Sequence, residues 1–113
     1  MKIESSQTGP VVVVTLNGRF DAHEVPEVRK SLDNALEQGQ GKVVINLSQV
    51  SFIDSSGLSM LIQGMKRCRE RIGDLYLTDL QQPVRIIFEL TRLDKVFAIF
   101  PSQAEALRAL GAI

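Results

Sequence analysis

A short polar stretch, Asp54-Ser55-Ser56-Gly57, follows a strand-like segment and begins the most regular helical pattern in the chain. Asp and Ser oxygens accept hydrogen bonds from the free N–H groups of a first helical turn. A glycine lets the backbone approach a sheet closely. One interpretation of the stretch is therefore a helix cap, in which Ser56 accepts a first-turn N–H.

The same stretch could also carry a phosphate on a serine. A helix N-terminus presents unpaired N–H donors and the positive end of the helix macrodipole, so it would hold such a phosphate. Phosphorylation would place about −1.5 to −2 charges on an exposed surface beside Asp54 without unfolding the domain. Asp21 follows another strand and is expected at the same edge. A partner surface shaped for a neutral hydroxyl would then meet a dianion, whose desolvation costs several kcal/mol.

A catalytic role for Ser55 finds little support in the rest of the chain. A nucleophilic serine needs a general base and an oxyanion site, and the Gly-x-Ser-x-Gly turn of α/β hydrolases is absent from the sequence. His23 is the only histidine, and a metal site needs several ligands. We therefore expect no enzymatic activity, no metal and no cofactor. His23 is predicted to be a loop residue near a partner surface.

The composition argues against several classes of partner. Thirteen Lys and Arg balance thirteen Asp and Glu, whereas nucleic-acid binding rests on an excess of cations, so no direct nucleic-acid contact is expected. No run approaches the roughly 20 apolar residues of a membrane span. Residues 1–5 lack the apolar core of a signal peptide, which favours a cytoplasmic protein without membrane insertion. The single cysteine, Cys68, is predicted to be a small buried residue.

Five segments have the composition of strands. The second and third are apolar runs without polar alternation, which is typical of strands buried on both faces. Thr8-Gly9-Pro10 is a turn signal that makes the first two a hairpin. Residues 17–21 are expected to end the second strand, and residues 48–53 to form a connection after the third. The predicted strands cover residues 2–6, 11–16, 43–47, 75–79 and 96–100.

Four segments have the apolar period of helices. The first ends at Gly39 and Gly41, because glycine favours the residue after a helix. The second has one apolar stripe over residues 58–72. The last begins with the Ser-x-x-Glu capping box of Ser102 and Glu105. The four helices are predicted to begin near Pro26, Ser55, Pro83 and Ser102.

The elements follow the order β-β-α-β-α-β-α-β-α. Strands and helices that alternate after a hairpin indicate right-handed crossovers between parallel strands. We therefore predict an α/β fold, a single domain over residues 1–113 with a mixed, mostly parallel sheet of about five strands and about four helices. Partners of such sheets meet the carboxyl ends of the strands, where Asp54 follows the third strand.

The second helix has another face, outside its apolar stripe, that begins at Ser55. Ser59, Met60 and Gln63 lie on this face. An exposed Met is an adaptable contact, so Met60 is predicted to pack against a partner, with partial burial against a neighbouring loop as the alternative. The basic cluster at residues 66–71 is interpreted as a solvated face near the helix C-terminus, where cations are favoured.

Three segments together resemble the STAS domain of bacterial anti-sigma-factor antagonists. Residues 52–58, Phe-Ile-Asp-Ser-Ser-Gly-Leu, follow a Val-Val-Ile-Asn-Leu strand and are similar to the family's signature. Residues 16–22 resemble its segment after the second strand, and residues 96–102 resemble its final strand-to-helix junction. The similarity runs over essentially the whole chain and keeps the family's order of elements, which implies a STAS-like fold.

The resemblance implies a partner-switching cycle. The unphosphorylated protein would bind an anti-sigma factor that is also a serine kinase, so that the sigma factor is released. The kinase would phosphorylate Ser55, directly after the Asp, and a PP2C-type phosphatase would reverse this; ATP and metal belong to those partners. Asp21 matches a family acid that positions the serine hydroxyl, with turn or helix capping as its alternative role. The expected partner surface comprises Asp21, His23, Asp54, Ser56, Gly57, Ser59, Met60 and Gln63.

The sequence leaves two alternatives open. The same fold and helix surface would suit a STAS binding subunit that is not phosphorylated, within a lipid-transport or signalling scaffold. A serine directly after the Asp favours the antagonist without excluding the scaffold. Self-association is also open, because the strand edges and residues 84–88 could host a dimer.

Overall fold

A computed structural model describes residues 1–38 and 40–113. In these ranges the chain forms one five-stranded sheet, in the spatial order β1-β2-β3-β4-β5, and four α-helices. The order of elements agrees with the predicted one, with two short 3-10 helices added at Ala22–Glu24 and Leu93–Lys95. The strands are β1 Lys2–Thr8, β2 Val11–Phe20, β3 Lys42–Ile53, β4 Asp74–Thr78 and β5 Ile99–Phe100, and the helices are α1 Val25–Gln38, α2 Ser55–Glu70, α3 Gln82–Leu90 and α4 Gln103–Ala109.

The sheet is mixed and mostly parallel, which confirms the predicted fold class. β1 and β2 form an antiparallel hairpin whose turn contains Gly9 at φ +57°. β2, β3, β4 and β5 pair with one another in parallel. Each parallel crossover contains an α-helix, so the carboxyl ends of these four strands lie at the same edge of the sheet.

The valine run of β2 is buried on both faces of the sheet. Val12 and Val14 belong to the main core, together with the buried residues of α1, α2 and α3. Val11 and Val13 belong to a smaller cluster with Ala106 of α4. Because helices cover both sides of this strand, neither side selects for polar residues, which explains the missing alternation.

Both central strands are longer than predicted. β2 continues to Phe20 and β3 to Ile53, although a break and a connection were expected there. The two extensions pair with each other, with Phe20 opposite Ile53, whereas β4 pairs with β3 only as far as Asn46. The register shifts beside Gly18, whose φ of +128° suits a bulge. The result is a two-stranded ribbon that carries the start of α2 beyond the other strands.

Smaller differences from the prediction occur at the ends of elements. The last strand contains only Ile99–Phe100, because a 3-10 helix and the turn after it occupy residues 93–97, and β4 begins and ends one residue earlier than predicted. α2 ends at Glu70, so Ile72, which is 95% exposed, does not belong to its apolar stripe. α1 ends at Gln38, and the predicted role of Gly39 lies outside the described residues.

Cys68 is buried, as predicted, and its thiol is therefore expected to be inert. The residue is 0% exposed, and burial raises the pKa of the thiol to about 12, with the charge of Asp74 adding to the effect. Only the thiolate attacks a disulfide reagent. Folded protein at about pH 8 should resist an aromatic disulfide reagent, and denatured protein should react fully. Absorbance of the released thiol measures both, and fast labelling of folded protein would contradict the burial.

Candidate functional site

Asp54 connects the end of β3 to the start of α2. Its backbone is extended, with φ −107° and ψ −176°, so it stands before the first turn as the N-cap. Its Oδ1 accepts a hydrogen bond from the Gly57 N–H at 3.0 Å, and its carbonyl accepts one from the Leu58 N–H at 3.0 Å. The acceptor role expected for Ser56 is therefore filled by Asp54.

The carboxylate of Asp54 also binds the segment that follows β2. Its Oδ2 accepts a hydrogen bond from the Ala22 N–H at 3.2 Å, and the Asp54 N–H donates to the Phe20 carbonyl at 3.3 Å. One side chain therefore bridges two backbone segments that are far apart in the sequence. The ends of β2 and β3 and the first turn of α2 are held as one unit.

Asp21 is a capping residue in this structure. It precedes the 3-10 helix Ala22–Glu24, and its Oδ1 accepts a hydrogen bond from the His23 N–H at 3.1 Å. This is the alternative role considered for Asp21. Among residues 1–38 and 40–113, no side-chain hydrogen bond joins Asp21 to Ser55. His23 is exposed and lies within the 3-10 helix, not in an irregular loop.

Ser55 is the first residue of α2, and its side chain is exposed. Asp54 already provides the cap, so the fold makes no demand on the Ser55 hydroxyl. None of the side-chain hydrogen bonds within the described ranges involves that hydroxyl. Ser55 is thus available to a partner or an enzyme approaching from solvent.

Gly57 brings the first turn of α2 against the ribbon, as the sequence predicted. A Cβ at this position would lie 2.8 Å from the Phe20 carbonyl oxygen and 2.8 Å from Ile53 Cγ1. Backbone oxygen cannot move aside as the end of a flexible side chain can. Glycine therefore sets how closely Ser55 approaches the strand ends.

A shallow cleft of about 320 Å³ runs between α1 and α2 from Ser55. Ser55, Ser59 and Gln63 are exposed along it. Met60 also lines the cleft but is only 2% exposed, so the predicted exposed Met is wrong. Met60 belongs to the main core, which a stripe drawn on α2 alone does not reveal. The lining residues are Ala22, Val25, Arg29, Ser55, Ser56, Ser59, Met60 and Gln63.

Two residues of α1, Val25 and Arg29, line the cleft without having been predicted as site residues. They are one helical turn apart and therefore share a face of α1. That spacing is visible in the sequence, but it does not show which neighbour the face meets. The packing of α1 beside α2 brings both residues to the cleft that begins at Ser55.

The basic cluster of α2 is engaged largely within the chain. Arg67 forms an ion pair with Asp33 of α1, and Arg69 pairs with Asp74 at 3.1 Å. Arg71, just after the helix, donates to the Leu36 carbonyl at 3.1 Å. These contacts tie α2 to its neighbours, while Lys66, Arg69, Glu70 and Arg71 remain exposed, as the predicted solvated face requires.

The described part of the chain shows no grouping of three or more His, Cys, Asp or Glu side chains able to hold a metal ion. Within those same residues, every helix is too short or too polar to cross a membrane.

This fold occurs in known proteins, and the chain belongs to the STAS domain family, whose profile matches residues 2–106. It is 29% identical over 111 residues to the anti-sigma F factor antagonist of Paenibacillus polymyxa, covering 97% of this chain and 95% of that protein. An anti-sigma-factor antagonist (STAS) domain protein from Planctomyces limnophilus is similar in structure, with a TM-score of 0.86, 26% identity and coverage of 96% and 97% of the two chains. The Bacillus cell fate determinant SpoIIAA in its phosphorylated form has a TM-score of 0.72 at 24% identity, with 96% and 98% covered. The predicted family is thereby confirmed.

Proposed function

We propose that this protein is an anti-sigma-factor antagonist that is controlled by phosphorylation of Ser55. Without phosphate it binds an anti-sigma factor with serine kinase activity, and the sigma factor is released. Phosphorylation by that kinase ends the binding, and a PP2C-type phosphatase restores it. Residues 1–113 act as one cytoplasmic STAS domain without catalytic activity, cofactor or direct contact with nucleic acid.

One observation carries this function: the exposed Ser55 hydroxyl stands at the start of α2 and has no part in capping the helix. The relatives support the same role. The similar protein of P. polymyxa is named as an anti-sigma F factor antagonist, and SpoIIAA has been solved in a phosphorylated form.

Ser55 fits the role of a substrate better than that of a nucleophile. Among the residues that the structure describes, no His, Asp, Glu or Lys lines the cleft, and both carboxylate oxygens of the adjacent Asp54 accept backbone N–H groups, so a general base that would activate Ser55 is not in place. Phosphate would add about −1.5 to −2 charges at an exposed position. The hydrogen bonds of Asp54 to Gly57 and Ala22 do not involve Ser55, so the fold should survive the modification.

The proposed partner surface consists of the residues around Ser55 that are exposed to solvent. Ser59 and Gln63 continue along the cleft, and Ser56 is half-buried beside them. His23 is exposed on the adjacent 3-10 helix. Asp21, Asp54, Gly57 and Met60 contribute by holding this surface in place, since they cap helices or pack inside.

Incubation with the cognate kinase and ATP tests the proposed function. Mass spectrometry should locate one phosphate on Ser55, and Ser55→Ala should remain unmodified while still binding the kinase. Phosphate on Ser56 alone, or on no residue, would overturn the assignment. A pull-down with the wild-type protein that recovers no kinase would favour the scaffold-subunit alternative.

A further inference from the structure

The cleft between α1 and α2 has a cation on one wall and polar side chains on the other. Arg29 of α1 lines it together with Ser55, Ser59 and Gln63 of α2. The cleft is open to solvent and has a volume of about 320 Å³. A phosphoryl group on Ser55 therefore has room to turn into the cleft.

Arg29 has no carboxylate partner among residues 1–38 and 40–113. Asp33, one turn further along α1, would be its usual partner but pairs with Arg67. Glu24 pairs with the amino terminus at 3.3 Å. Both carboxylate oxygens of Asp54 accept backbone N–H groups. Asp21, which precedes the cleft residue Ala22, accepts the His23 N–H, and none of these acids forms an ion pair with Arg29.

We propose that Arg29 is the counter-ion of the phosphate on Ser55. A guanidinium group donates two parallel hydrogen bonds to phosphate oxygens, which gives the pair a fixed geometry as well as charge. The inference rests on the proposed function, because it concerns the modified form of the same serine. It assigns Arg29 a role in regulation that is separate from the cap made by Asp54.

This pairing changes how phosphorylation would block the partner. The phosphate would lie along the cleft over Ser59, and the guanidinium would offset part of its charge. The partner would lose access to the cleft as well as meet a residual negative charge. A cation beside a phosphate also favours the dianion, which lowers the second pKa of the group from its usual value of about 6.

The pairing can be tested without any kinase, by installing phosphoserine at position 55 through genetic code expansion. Phosphorus NMR titration between about pH 4 and pH 8 then measures the second pKa of the phosphate. We expect that pKa to be about half a unit higher in Arg29→Gln than in the wild-type chain. Arg29→Lys should keep part of the difference, and about 1 M salt should shrink it.

Lys30→Gln is the matched control. Lys30 neighbours Arg29 on α1 but lines a different cleft, with Met1 and Ile3, so its removal should leave the titration unchanged. An Arg29→Gln titration equal to wild type, or an equal shift in Lys30→Gln, would overturn the pairing. Locating the phosphate that the kinase adds distinguishes the proposed function from the pairing of Arg29 with that phosphate. If the phosphate pKa shifts in Arg29→Gln but the kinase does not modify Ser55, only the proposed function is wrong. If the kinase modifies Ser55 but the phosphate pKa does not shift, only the pairing is wrong.

Discussion

Ser55→Asp should weaken binding to the anti-sigma kinase by about a hundredfold. The substitution places a charge where the partner expects a neutral hydroxyl, and burying that charge against the partner costs several kcal/mol unless a cation compensates it fully. The free energy of unfolding should change by less than about 0.5 kcal/mol, because Ser55 is exposed and an acid suits a first helical turn. Isothermal titration calorimetry measures the affinity, and urea denaturation measures the stability.

Two variants isolate the effect of charge at this position. Ser55→Ala should bind like the wild type, since it adds no charge. Ser5→Asp adds the same charge at an exposed position on the edge strand β1, outside the cleft, and should also bind normally. If Ser55→Asp bound the kinase as tightly as the wild type, blocking by charge would be wrong.

Gly57→Ala should destabilise the fold by about 2 kcal/mol. The new methyl group would lie 2.8 Å from the Phe20 carbonyl oxygen, so either α2 or the ribbon must shift. Overpacking of this kind costs about 1–3 kcal/mol, and the better helix propensity of Ala offsets only part of it. The midpoint of urea unfolding should fall accordingly, and partner affinity should fall as well because Ser55 moves with the helix.

Gly64→Ala is the matched control, because Gly64 is a second glycine on the same helix. There the added Cβ would meet Leu32 Cδ1 at 3.1 Å and Leu75 Cδ1 at 3.2 Å, which are the ends of flexible side chains. The gain in helix propensity, up to about 1 kcal/mol, should balance most of that crowding. Equal stability of the two variants would show that the approach of α2 to Phe20 is less restrictive than the distances indicate.

The regular elements could be predicted because their patterns are local. The valine run of β2 and the apolar stripe of α2 each follow from the period of their own side chains. The extensions to Phe20 and Ile53 could not be predicted in the same way. Polar residues there resemble a loop, and only pairing between the two strands makes them extended. That pairing joins residues more than thirty positions apart.

The candidate site was predicted in its chemistry but only partly in its geometry. Asp54 and Ser55 could be predicted as residues of the candidate site from their residue types and from their position at the start of a helix. The burial of Met60 depends on where the rest of the core lies around α2, and the availability of Arg29 depends on Arg67 taking Asp33. Both are contacts between elements, which the pattern of one helix does not contain.

The two side-chain hydrogen bonds of Asp54 affect both the rate of partner binding and the conformational entropy that is lost on binding. Because one carboxylate binds the Ala22 and Gly57 N–H groups, the partner meets a surface that is already organised. Little conformational entropy is then lost on association, so the affinity reflects the contacts themselves. Under the proposed function, no refolding step would slow the encounter, and the response would be limited by the modification of Ser55 itself.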